Sequence, residues 1–102
     1  VHWFGVRCVL HDAEEQTFEE RITVWQAADF TEAVAFAEDE AEVYAEQTGV
    51  SFVGFAQAYV LPGAPTHGGE VFALLRQSEL DVDAYLDRFF DTGDELEASL
   101  DE

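Results

Sequence analysis

The chain has 102 residues and a formal net charge of −19, from 23 Asp and Glu against 4 Arg and no Lys. That length sets one domain with a modest core. A surface this anionic repels phosphate backbones and anionic lipids, so the expectation is no direct nucleic-acid binding and no membrane binding.

Residues 2–10 (HWFGVRCVL) and 17–27 (TFEERITVWQA) are rich in aromatic and β-branched types, and a short polar stretch from His11 to Gln16 separates them. This is the pattern of a β-hairpin. Asp29-Phe30-Thr31-Glu32 follows as a capping box, with Asp29 accepting from the amide three residues on and Glu32 reaching back. Behind it Phe30, Ala33, Val34, Ala37, Ala41, Tyr44 and Ala45 recur at helical spacing, and Gly49 supplies a left-handed stop. The spacing predicts a helix over 29–47.

Ser51–Leu61 reads as a third strand, apolar on both faces, and 62–69 as a loop of Pro and Gly. Glu70–Arg76 (EVFALLR) reads as a fourth strand. Asp81 then caps a second helix with the face Val82, Tyr85, Leu86 and Phe89, which Gly93 breaks. The predicted fold is α+β in the order ββαββα, a four-stranded, mainly antiparallel sheet with two helices on one face. It occupies residues 1–92, followed by an acidic C-terminal tail over 93–102 in which Leu96 and Leu100 would dock a last turn.

Alternation along the strands predicts which residues the helices leave uncovered. Strand one places Phe4, Val6, Cys8 and Leu10 on one face and Trp3, Arg7 and Val9 on the other. With Phe18, Ile22 and Val24 assigned to the core, strand two sends Arg21 and Trp25 to the open face, and strand three adds Phe55. Trp3, Arg7, Arg21, Trp25 and Phe55 then compose an interface in which Arg lies beside Trp, and a homodimer packing sheet on sheet is the simplest way to close it. The same phase turns Glu20 inward as a buried polar site that needs a donor.

On the first helix Glu38, Glu42 and Glu46 stand four apart, a row of carboxylates rising about 6 Å per step. The row is a candidate acidic binding face for a basic protein, or for a DNA-binding protein that would meet it as a DNA mimic. A solvated face produced by a high-GC genome or a salt-rich cytosol accounts for the same acids. No catalytic residue is assigned and no cofactor is expected. His2, His11 and His67 lack the spacing of a metal site, and no Ser-His-Asp or Cys-His arrangement is visible. The single cysteine, Cys8, sits in an apolar run as a core residue and fits a reducing compartment. No signal-like segment and no long apolar run is visible, so a cytoplasmic location is expected.

Trp3-Phe4-Gly5-Val6-Arg7, Phe18-Glu19-Glu20-Arg21-Ile22, Asp29-Phe30-Thr31-Glu32-Ala33 and Gly69-Glu70-Val71-Phe72 together resemble the bacterial family known as domain of unknown function 4288. The resemblance spans roughly residues 3–90 and leaves the tail outside. It implies a small bacterial protein, supplies no activity or catalytic residue, and marks Glu19-Glu20-Arg21 as a family feature. Two functional readings follow. The first is a non-enzymatic protein-binding domain, dimeric through its open sheet face, that neutralises a basic partner. The second is a small-molecule-binding or catalytic domain with a pocket near Glu20 and the 62–69 loop.

Mutual repulsion among so many carboxylates is relieved by counterions. The melting temperature near neutral pH is therefore expected to rise by several degrees between dilute buffer and molar neutral salt. Scanning calorimetry checks this, and an indifferent midpoint would mean that the acids are already dispersed.

Overall fold

The structure, a computed structural model, describes residues 2–90 and 92–96. Its elements are β1 (His2–Asp12), β2 (Thr17–Ala27), α1 (Phe30–Thr48), β3 (Ser51–Val60) and α2 (Val82–Phe89). The α+β class is as expected, but the sheet has three strands, antiparallel in the order β2-β1-β3.

β1 and β2 form the predicted hairpin, in unbroken register from His2 opposite Ala27 to Asp12 opposite Thr17. Its turn is held by Asp12, whose Oδ1 accepts from the amides of Glu14 (3.0 Å) and Glu15 (3.1 Å), and Gln16 closes it with a φ of 56°. β3 pairs with the other edge of β1, and its register shifts between the partners of Cys8 and Leu10. Cys8 faces Ala56 and Leu10 faces Phe52, so β3 carries two extra residues there, around Gly54 at a φ of 85°. An insertion of two preserves the alternation on either side of it.

α1 begins and ends close to where its caps predict. Asp29 accepts from the Glu32 amide at 2.9 Å, and Glu32 reaches back to the Ala28 amide, one residue earlier than the box predicts. Gly49, at φ 78°, donates to the Ala45 carbonyl at 2.9 Å. The helix buries a row of small residues, Ala33, Ala37, Ala41 and Ala45, against Phe4, Val6, Cys8 and Leu10 of the central strand. Each fully buried Phe, Val or Leu there contributes about 1.5–3 kcal/mol. Cys8 is a core residue as expected, and burial, then the charges of Glu38 and Glu40, push its thiol pKa up.

Two features depart from the predicted packing. Glu70–Arg76 is not a strand. Its apolar residues run together from Val71 to Leu75 instead of alternating, so no register buries one face and wets the other. The segment instead crosses the open side of the sheet as a strap. α2 forms where Asp81 caps it, with Oδ1 accepting from the Ala84 amide at 2.8 Å, yet it does not join α1 on the sheet. Its Tyr85 and Phe89 gather around Arg76, which donates to the Tyr85 hydroxyl at 3.1 Å and lies 4.1 Å from the Phe89 ring centre. In the tail, Leu96 is exposed and outside any helix, while Leu100 lies outside the described residues. Among the described residues no helix is long and apolar enough to cross a membrane.

Candidate functional site

Cross-strand register decides which side chains share the face opposite α1. Residues directly opposite in an antiparallel pair point the same way. Phe4 is buried under α1 and lies opposite Trp25, and Cys8 lies opposite Arg21, so Trp25 and Arg21 face the helix. The expected placement of these two on the open face is therefore reversed, and with it the whole phase of β2. Phe18, Glu20, Ile22 and Val24 occupy the open face.

The helix-facing residues are absorbed in structure. Trp25 stacks near Phe36, ring centres 5.8 Å apart, and its Nε1 donates to Thr23 Oγ1 at 2.6 Å. Arg21 grips Glu40 of α1 with two nitrogens, at 2.8 and 3.3 Å, and lies 3.6 Å from the centre of the Tyr44 ring. Tyr44 in turn donates to Glu19 Oε1 at 2.7 Å. Glu40 holds the Arg21 pKa above its ordinary value, and the hydrogen bond to Glu19 raises that of Tyr44. The cluster ties β2 to α1 at the sheet's rim, where a half-exposed ion pair is worth about 1 kcal/mol or less.

On the open face the centre is Arg7. Its guanidinium donates to Gln57 Oε1 and lies 3.5 Å from Glu20. Glu20 is thus paired at the surface, its side chain 62% exposed, and is not the buried polar site expected of it. Beside Arg7 the Tyr59 ring lies across Gly5, so closely that a Cβ at Gly5 would stand 2.3 Å from Tyr59 Cζ. Phe72 of the strap packs edge-on against that ring at 5.1 Å and sits 5.8 Å from Arg7. The strap therefore covers the β3 side of the face. The β2 side is bare: Phe18 is 67%, Ile22 45% and Val24 42% exposed. His11 stacks on Phe18 at 4.4 Å. Trp3 is half-buried on the open face, and Phe55 is exposed beside the Gly54 bulge.

Of the five interface residues expected, Trp3 and Arg7 share this face and Arg21 and Trp25 do not. Strand-three aromatics on this face are as alternation expects, but Gln57, Phe72 and the seating of Tyr59 on Gly5 escaped the sequence reading. The one signal for them was Gly5 in mid-strand, which often marks the close approach of another group. On α1, Glu42 and Glu46 are exposed and Glu38 half-buried, and the acid of that helix that finds a cation is Glu40, outside the row.

Beside Glu20 an open groove of about 790 Å³ is lined by Phe18, Glu19, Glu20, Asp94 and Glu95, and no residue of 62–69 reaches it. Among the described residues no group of three or more His, Cys, Asp or Glu is placed to hold a metal ion. Comparison with protein-family models, with curated sequences and with solved structures found no match. The resemblance stated above stands on its quoted residues alone.

The Tyr59 hydroxyl is buried with no hydrogen-bond partner, and burial raises its pKa while Arg7 opposes the shift. An unmade bond of that kind costs roughly 1–3 kcal/mol. Tyr59→Phe is expected to stabilise the protein by about 1 kcal/mol at neutral pH, measured by urea denaturation. Because the native phenol holds its proton to higher pH than the unfolded one, stability falls as pH rises past about 10. Tyr59→Phe is expected to lose less over that range, and an unchanged alkaline slope would place the hydroxyl in water.

Proposed function

We propose that this protein is a non-enzymatic cytoplasmic domain that acts by binding other proteins, and that it is a homodimer closed through the open face of its sheet. The observation that carries the reading is the bare row Phe18, Ile22 and Val24 beside the Arg7–Glu20 pair. In a chain of net charge −19 this face holds one of the few areas whose charge cancels locally. Glu20 on this face is paired by Arg7, so two copies meet less repulsion there than over unpaired acids, and the apolar row gives them a reason to stay. Ile22 is the place to test this, since it faces solvent and its replacement leaves the core intact. Light scattering is expected to give twice the chain mass for the wild type and the chain mass for Ile22→Asp, at equal helicity by circular dichroism. A wild type that is monomeric at high micromolar concentration would overturn the dimer.

With the sheet face occupied, the outward acids of α1 remain for a basic protein partner. Among the described residues Glu38, Glu42 and Glu46 form no ion pair, in contrast to Glu40. Glu38→Lys with Glu42→Lys is expected to abolish salt-sensitive capture of such a partner while the dimer persists. Undiminished capture by the double variant would reduce the row to a solvated face.

A further inference from the structure

The segment from Val71 to Phe90 carries more apolar surface than this chain can use. Leu75 is 99%, Val82 74% and Leu86 46% exposed, and Phe90 is also exposed. Val82 and Leu86 stand one turn apart on the same face of α2, a helix that approaches neither the sheet nor α1, and Phe90 follows at its C-cap in extended backbone, its ring 6.2 Å from that of Tyr85. The bare row of β2 is the counterpart of this strip on the body of the domain. Val82 to Leu86 rises about 6 Å along the helix, close to the roughly 7 Å from Ile22 to Val24 along the strand, and Phe18 lies beyond Glu20 on the same face. The strap does not bring the two together within one chain, because Phe72 seats it on Tyr59, at the opposite side of the face from β2.

The total surface identifies what is missing. The chain exposes 8042 Å², whereas a compact monomer of its mass exposes roughly 5,800 Å². Its radius of gyration is 15.8 Å, against about 13 Å for a compact chain of this length. Eight residues lie outside 2–90 and 92–96, and an allowance of roughly 160 Å² for each removes their whole share from the comparison. On the order of 1,000 Å² of excess still remains. That is about one partner's share of a standard stable interface, near 800 Å².

We infer that the 71–90 arm of each chain docks on a second copy, laying Val82 and Leu86 of α2, with Phe90 at its end, on the Phe18-Ile22-Val24 row of the partner's β2, with the exchange made reciprocal by a two-fold axis. The inference rests on the dimer proposed above and specifies what fills its face. A reciprocal exchange uses both exposed rows twice and leaves neither in water. The acid within the β2 row, Glu20, meets the exchange already paired with Arg7.

Arm and face can be broken separately, since both Leu86 and Phe18 are exposed in the single chain. Leu86→Asp and Phe18→Asp are each expected to weaken dimerisation at least tenfold by analytical ultracentrifugation, with helicity unchanged by circular dichroism. Val82→Asp serves as a second arm variant. Mixing Leu86→Asp with Phe18→Asp is expected to restore heterodimers, because one intact arm then meets one intact face. If both arm variants dimerise as tightly as the wild type while Ile22→Asp dissociates, the exchange is overturned and the sheet-face dimer stands. A monomeric wild type overturns both readings, and one destabilised by Leu86→Asp would place the arm on its own chain's face.

Discussion

The close approach of α1 to the central strand is the contact on which the rest of the molecule depends. Four alanines, spaced one turn apart, let the helix axis lie near β1, so that Phe4, Val6, Cys8 and Leu10 fill the gap from the sheet side. Large residues come from the sheet and small ones from the helix, which is one way to interdigitate a two-layer core. No polar or charged residue is buried among the described residues. The acids of α1 consequently stand on its outer surfaces, and the ion pair Arg21–Glu40 sits at the rim where water still reaches it.

A core of one helix on three strands is small, and it leaves the second face of the sheet to be dealt with separately. The strap does so on one side only. Tyr59 lies flat over Gly5 and Phe72 closes it from above, at the cost of a buried hydroxyl with no partner. Arg7 sits beneath the strap's edge, shared between Gln57, Glu20 and the Phe72 ring. Beyond Arg7 the face is bare, with Phe18, Ile22 and Val24 exposed on either side of Glu20. The division between covered and bare halves runs along the central strand, and it follows from where the strap leaves β3, the edge strand farthest from β2.

Charge and apolar surface therefore act at different places in this protein. Repulsion from a net charge of −19 disfavours most encounters between copies. It also confines any association to the few areas where charge cancels or is missing, which is a form of specificity. The bare half of the sheet and the outer row of α2 are such areas. Each is an apolar strip, interrupted on β2 by Glu20, which Arg7 pairs, and that common character is the physical link between the dimer proposed here and the arm exchange that would complete it.

Local chemistry settled much of the outline from the sequence alone. The hairpin, the capped helix, the third strand and the cap of α2 are all decided by short-range rules: Asp29 and Asp81 satisfying amides, Gly49 turning left-handed, alternation in β1. The phase of β2 was not so decided. Phe18, Ile22 and Val24 are more hydrophobic than Glu19, Arg21 and Thr23, so composition sends them inward. Pairing opposite β1 sends them outward, because β1 fixes the face and a side chain can only follow its partner. Arg21 and Trp25 tolerate the inner face since Glu40, Tyr44 and Phe36 receive them, contacts between β2 and a helix that no local pattern reveals. The 70–76 segment failed as a strand for a related reason. A strand needs an edge to join as well as β-forming residues, and tertiary structure placed Phe72 over Tyr59 instead.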